Sequence, residues 1–150
     1  MLFRSEHGFP SYQSLQPKYN LYTRAEYEVA LEPLILKEGI GVIPYYALAA
    51  GFLTGKYRSE SDAKKSARGG GVVKQYLNDR GFRILAALDQ VAKSHHSTPG
   101  KVALAWLIAR PGITAPIASA TSVEHVKDLV DATNLTLDGT SIETLNQASA

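Results

Sequence analysis

Apolar residues fall in two rhythms along the chain, short unbroken runs and helical i, i+3, i+4 stripes, and their order predicts the fold class. Tyr12 to Gln16 reads as a short strand closed by Pro17 and the turn-forming Asn20. Thr23-Arg24-Ala25-Glu26 has capping-box spacing and predicts a helix start. Tyr27, Ala30, Leu31, Leu34 and Ile35 follow as its stripe, Gly39 falls at its C-cap, and Pro33 predicts a kink or a division into two short helices. Ile40 to Pro44 is almost continuously apolar and predicts a strand buried on both faces.

The polar stretch from Lys56 to Lys74, with Lys64, Lys65, Arg68 and Gly69-Gly70-Gly71, predicts a long loop. Its basic character fits phosphate binding, and a solvated mobile loop is the simpler reading. Asn78 or Asp79 starts a helix with Ile84, Leu85, Leu88 and Val91 on its apolar face. Thr98-Pro99 opens another, faced by Val102, Ala105, Trp106 and Ala109 and stopped at Arg110-Pro111-Gly112. Thr114 to Ala118 predicts the third strand, Ser122 caps a helix to about Ala132, and Thr140 to Glu143 boxes a terminal one. Strands alternating with helices imply right-handed parallel crossovers, hence an α/β sheet in a single domain over 1–150. Three strands fit part of a doubly wound sheet or an arc of a barrel, and periodicity alone leaves both open.

Composition narrows the function classes. With 45% hydrophobic residues the chain can build a core, and a net charge of +2 gives no electrostatic case for nucleic acid or an anionic membrane. No cysteine is present, which excludes disulfides, thiolate metal sites and a cysteine nucleophile. Met1-Leu2-Phe3-Arg4 lacks signal-peptide order, and the uncharged run Gly39 to Gly55 is too short and interrupted to span a bilayer, so a cytoplasmic location is expected. His95-His96 has no carboxylate or cysteine partner at ligand spacing, so no metal site is expected. Ser119, Ala120, Thr121 and Ser122, between a strand and a helix N-terminus, make a phosphate cup or a plain N-cap, and both roles are compatible.

Four stretches together resemble the aldo-keto reductase family. Leu15 to Leu21 with Arg24 is similar to its strand-six segment, and Gly41 to Tyr57 (GVIPYYALAAGFLTGKY) to strand seven and the loop after it. Lys101 to Leu107 resembles the helix that follows, and Pro116 to Ser122 with Glu124-His125 resembles strand eight and its helix. The resemblance implies a partial (β/α)8 TIM barrel, roughly the C-terminal three βα units. It implies an NADP(H)-dependent carbonyl oxidoreductase whose cofactor lies extended across the βα loops without a Rossmann fingerprint.

By that resemblance, Gln16 contacts the nicotinamide carboxamide and Tyr45 stacks under the nicotinamide ring. Tyr46 stands where relatives often have serine, so its phenol bonds the pyrophosphate or crowds the site. Leu48, Ala49, Gly51, Leu53, Thr54 and Lys56 form the small-residue loop over the pyrophosphate. Ser119, Ala120, Thr121 and His125 hold the adenosine end, with departures from the family pattern. Thr121 replaces an arginine that grips the 2′-phosphate, Ser119 a glycine or lysine, His125 a glutamine or arginine, and Leu129 an asparagine. Loss of the guanidinium weakens NADP over NAD, so NAD(H) is compatible too. The family's catalytic aspartate, tyrosine, lysine and histidine lie on strands two to four. None is matched here, and His7, His95 and His96 do not fit the histidine's setting. The expected partners are the cofactor and a carbonyl substrate in a full barrel, with self-association or pairing with an N-terminal half. A non-catalytic nucleotide-binding or interaction module, or a structural remnant, are the alternatives.

Overall fold

A computed structural model describes residues 6–150. Strand β1 (Ser14–Leu15) pairs in parallel with β2 (Gly41–Val42), Ser14 opposite Gly41 and Leu15 opposite Val42. The pairing continues beyond the regular ladder. Ile43 N–H donates to Leu15 O, Tyr45 N–H to Pro17 O, and Tyr19 N–H to Tyr45 O. Of the expected strand from Tyr12 to Gln16 only Ser14–Leu15 is regular; Pro17 has no N–H to give at one end, and Tyr12 is exposed at the other.

The third strand is irregular. Val42 N–H donates to Gly112 O, Thr114 N–H to Val42 O, and Ile117 N–H to Pro44 O, which lays 112–117 parallel beside β2 with a single bridge, Val42 to Ile113. Pro116 withholds the next donor, so Thr114 to Ala118 is extended chain rather than a full strand. The expected parallel α/β order holds, with two regular strands and an extended segment in place of the third.

Proline also decides the first crossover. Pro33 splits it into α1 (Ala25–Ala30) and α2 (Glu32–Glu38), sitting in the first turn of α2 where a missing N–H costs nothing. Gly39 closes α2 at φ 63°, as predicted. The Thr23 capping box does not form: Arg24 occupies the N-cap without a side-chain bond, and the Thr23 N–H goes instead to Asn20 Oδ1 at 2.8 Å. Of the predicted stripe only Tyr27 and Ile35 are fully buried.

The expected loop from Lys56 to Lys74 is a folded segment. A 3-10 turn (Glu60–Lys65) leads into α3 (Gly69–Tyr76), whose first turn is the glycine triplet. A Cβ on Gly69 would overlap Ala63 O, so close packing of the two turns requires glycine there. Arg58 anchors the segment through a bidentate pair with Asp89, both contacts 2.7 Å. Asp62 accepts the N–H groups of Arg58 and Ser59 and the Lys65 ammonium, and these donors hold its carboxyl far below the usual carboxylate range.

Helices α4 (Asp79–Ser94) and α5 (Pro99–Ile108) carry most of the core. Asn78 Oδ1 caps α4 through Gly81 N–H, and Ile84, Leu85, Leu88 and Val91 are buried as predicted. In α5 the run Val102–Leu107 is buried without a break, and Ala109 lies outside it, exposed. Trp106, fully buried, has Tyr19 at 5.7 Å and the guanidinium groups of Arg24 and Arg110 at 5.2 and 5.5 Å from its ring. Helix α6 (Val123–Thr133) starts at the Ser122 cap. The predicted Thr140 box is displaced: Asp138 caps α7 (Gly139–Ser149) by accepting Ser141 N–H at 2.7 Å. Helix α7 packs along α4 and α6 against α5.

Burial alternates along the strands. Pro17, Tyr19, Val42 and Pro44 face the helical layer, while Gln16, Tyr45 and Ile117 are exposed, and Lys18 and Ile43 are half-buried. The sheet is therefore covered on one face only, which corrects the expectation of a β2 buried on both. An arc of a barrel leaves its inner face open in this way. Among the described residues, no helix is long and apolar enough to cross a membrane.

Candidate functional site

The loops that leave β2 and the third strand meet over the N-terminus of α5 and enclose a cleft of about 740 Å³. One wall is Tyr46 to Lys56, and the facing wall is Ile117 to Thr121 with His125, Asp128 and Leu129 of α6. Thr98, Gly100, Lys101 and Leu104 form the floor, and Arg68 enters from the start of α3.

The first wall holds its shape against its own backbone. Tyr46, Ala49 and Ala50 have φ of 59°, 48° and 55°, and Gly51 follows at 90°. Left-handed backbone costs a non-glycine residue about 1–2 kcal/mol, so three such residues need support. Asn20, fully buried, supplies it. Its Nδ2 donates to Tyr46 O at 2.9 Å, while Oδ1 accepts the N–H groups of Tyr22 and Thr23 at 2.9 and 2.8 Å. One amide thus clamps the chain after β1 to the chain after β2. The turn Ala49–Thr54, broken by the left-handed Ala50 and Gly51, is packed by Phe52 and Leu53, both buried.

Charge is unevenly distributed around the cleft. Lys56 and Arg68 are exposed and form no ion pair among the described residues; Lys56 lies 5.5 Å from the Tyr57 ring. Lys101 is spent on two carboxylates, Asp128 Oδ1 at 3.0 Å and Asp131 Oδ2 at 2.9 Å, one helical turn apart on α6. Its hydrogen bonds to Asp131 and Asp128 hold the Lys101 ammonium above the usual lysine range. At the start of α6, Ser122 Oγ accepts His125 N–H at 3.2 Å, and Thr121 Oγ1 lies 3.1 Å from His125 Nδ1. The Glu124 backbone N–H and the Ser122 hydroxyl hold the Glu124 carboxyl below its ordinary value.

Of the residues singled out from sequence, Tyr46, Leu48, Gly51, Thr54, Lys56, Ser119, Thr121 and His125 line the cleft. Ala49 and Leu53 do not; their side chains are in the core, and their N–H groups are bound within the loop, to Tyr46 O and Leu48 O. Gln16, Tyr45 and Ala120 lie outside the cleft lining and are exposed, Tyr45 to 39% with its ring 5.6 Å from that of Tyr46. Four contributors escaped the sequence reading: Asn20, read as a plain turn; Arg68, read as a loop cation; and the pair Lys101 and Asp128. The i, i+3 spacing of Asp128 and Asp131 puts both on one helix face, and that was the available signal.

Another dense polar cluster, outside the cleft, braces the core. Glu28 accepts from Tyr19 Oη at 2.7 Å and from Arg24 Nε and Nη2 at 2.8 and 3.0 Å, with Arg110 Nη2 at 3.4 Å. Despite some burial, the Arg24 and Tyr19 hydrogen bonds leave its carboxyl below its ordinary value. Burial and the Glu28 bond push the Tyr19 phenol well up. Among the described residues no group of acids and histidines could hold a metal ion.

The family described as aldo/keto reductase matches residues 2–150. A probable aldo-keto reductase of Glycine max is 29% identical over 130 residues, 86% of this chain and 37% of its own length. An uncharacterised oxidoreductase of Bacillus subtilis is 31% identical over 132 residues, 87% and 38%. The L-glyceraldehyde 3-phosphate reductase of Escherichia coli K12 is 28% identical over 124 residues, 79% and 36%. The chain therefore spans less than two fifths of these relatives. The crystal structure of a thermostable aldo-keto reductase, Tm1743, with the inhibitor epalrestat superposes with a TM-score of 0.65 at 24% identity, covering 90% of this chain and 39% of that one. That likeness makes the arc of parallel strands and helices a partial (β/α)8 barrel, and with the family match over almost every residue, the chain belongs to the aldo/keto reductase family.

Proposed function

We propose that these 150 residues are the C-terminal, cofactor-binding part of an NAD(P)(H)-dependent carbonyl or alcohol oxidoreductase. The cleft carries this reading. It lies where the loops leaving parallel strands converge, the usual place for a barrel's site. Its volume of about 740 Å³ lies in the usual range of small-molecule sites, and its two cations without carboxylate partners, Lys56 and Arg68, suit a pyrophosphate. The residues present fit such a cofactor: a concave groove, free positive charge at Lys56 and Arg68, and the α6 N-terminus at one end.

In that role the cofactor would supply the hydride. Lys56 and Arg68 would neutralise its pyrophosphate, and the Asn20 clamp would keep the loop in its binding shape before the cofactor arrives. Tyr45 and Gln16, at the exposed strand ends beside Tyr46, would orient the nicotinamide. Ser119, Thr121 and His125 would meet the adenosine. The proton donor would come from barrel strands outside this sequence, so the 150 residues alone bind cofactor without reducing a carbonyl.

Titration of NADH and NADPH into the 150-residue chain, read by calorimetry, tests this. Saturable binding of either, weakened by Tyr45→Ala and by Lys56→Ala with Arg68→Ala, supports it; a flat titration with both overturns it. Turnover of an aldehyde by the 150 residues alone would overturn the assignment of the proton donor.

A further inference from the structure

We propose that the last turn of α7 is a positioning element for the cleft: Ser149, through Arg24 and Arg80, fixes the 20–24 turn from which Asn20 clamps the loop after β2. A helix C-terminus leaves carbonyls without helical partners and carries the negative end of the dipole, so it attracts guanidinium groups. Two converge on this one. Arg24 Nη1 donates to Asn146 O at 3.1 Å and to Ser149 Oγ at 2.7 Å, and Arg80 Nη2 donates to Ser149 O at 2.6 Å. Ser149 is buried, and its hydroxyl proton goes back to Leu145 O at 2.6 Å, which leaves the oxygen's lone pairs for Arg24. Asn146 is engaged as well, its Oδ1 accepting Trp106 Nε1 at 3.0 Å.

Both arginines lead to the same short stretch of chain. Arg24 closes the turn as the N-cap of α1, and the Arg80 guanidinium lies 4.9 Å from the ring of Tyr22 within it. The Tyr22 and Thr23 N–H groups meet on Asn20 Oδ1, the Asn20 N–H returns to Thr23 O at 3.2 Å, and Asn20 Nδ2 reaches Tyr46 O. Every link from Ser149 to the cleft wall is thus a direct contact or an adjacent residue. Glu28 holds Arg24 to its own helix, whereas the α7 contacts tie it to residues 122 and 125 positions later. The wall they support is strained, since Tyr46, Ala49 and Ala50 are all left-handed, so it relaxes once Asn20 is free to drift. The consequence for ligand binding rests on the cofactor-binding reading above, and the consequence for the loop does not.

Native-state amide exchange on the 150-residue chain tests the relay. Ser149→Ala and Arg80→Met cut different arms, and each should speed exchange at 46–55 by about threefold or more while α5 amides change less. Val91→Ala, a buried change on α4 that touches neither arm, shifts exchange only in step with global stability. In an Asn20→Ala background, Ser149→Ala adds nothing at 46–55, because the amide it acts through is gone. The double cut, Ser149→Ala with Arg80→Met, lowers the population of the binding shape and weakens NADH and NADPH alike by about threefold or more in calorimetric titration. Unchanged exchange at 46–55 in either single variant, an equal rise in α5, or full additivity with Asn20→Ala overturns the relay. Faster loop exchange with unchanged affinity in the double cut overturns the positioning role. Faster loop exchange in a chain whose native form binds neither dinucleotide overturns the cofactor reading and leaves the relay standing.

Discussion

Glu28→Gln is the most informative single change outside the cleft, because it removes one charge while keeping the shape of a crowded cluster. The amide oxygen can still accept from Tyr19 Oη or from Arg24 Nε, which now lie 2.7 and 2.8 Å from Glu28 Oε1. The second Arg24 contact, 3.0 Å to Oε2, becomes donor against donor, and Arg110 keeps only Glu32 at 3.3 Å. The Arg24 and Glu28 side chains are 14% and 20% exposed, so the pair sits between a surface pair, worth about 0–1 kcal/mol, and a buried one, whose breakage costs about 3–5 kcal/mol. Losing one charge-assisted hydrogen bond of about 1.5–3 kcal/mol falls in that interval, so we expect about 2 kcal/mol of destabilisation. In urea, with a slope of about 2 kcal/mol/M, the midpoint drops by about 1 M, and Tm falls by roughly 4–8 °C. The folded-state carboxyl titrates below its unfolded value of about 4.3, so its contribution is fully present above that pH and is lost as pH falls through the folded value. The gap between native and Glu28→Gln stabilities is therefore widest near neutrality and closes below about pH 4. Arg24→Met with the double variant completes a cycle whose coupling should exceed about 1 kcal/mol. A midpoint shift worth less than about 0.5 kcal/mol at pH 7, or a gap independent of pH, would show that solvent screens this cluster like any surface pair.

Asn20→Ala leaves the Tyr46 carbonyl and two backbone N–H groups without their partner, and should cost about 2–4 kcal/mol in denaturant unfolding, with faster amide exchange confined to 46–55. Gly69→Ala and Gly70→Ala should have opposite signs. The first drives a Cβ into Ala63 O and destabilises by about 1–3 kcal/mol, while the second meets open space inside a helix and stabilises by about 0.5–1 kcal/mol; equal effects would refute the packing described for α3. Thr121→Arg, by adding a guanidinium to the cleft wall at the start of α6, should shift relative affinity towards NADPH by about tenfold in paired titrations.

Helices were the legible part of the fold. Asn78, Ser122 and Gly39 terminate elements where their side chains or φ predict, and the α4 stripe is buried as its spacing requires. Strands were poorly legible because prolines at 17, 44 and 116 withhold donors that an apolar run leads one to assume. The basic stretch from Lys56 to Lys74 reads as loop because its order comes from a distant partner, Asp89 for Arg58, and from the close packing of Gly69 on Ala63, neither of which a hydrophobic period announces. Within the site, the resemblance located both cleft walls, yet Ala49 and Leu53 prove to be core residues there. Conversely, the pairing of Asp128 with Lys101, 27 positions away, becomes visible only once α5 and α6 are packed.

The Asn20 clamp has a consequence for transplanting parts between related barrels. The loop after β2 looks like a self-contained cassette, bounded by two strands and free to be exchanged for a relative's version with a different ligand preference. Its leading carbonyl, however, is held by an amide from another crossover 26 residues earlier. A graft of residues 45–56 into a host with another residue at the position of Asn20 would import left-handed alanines without the support that makes them tolerable. The exchangeable unit is the loop together with that single distant asparagine, and chimaeras should be cut accordingly.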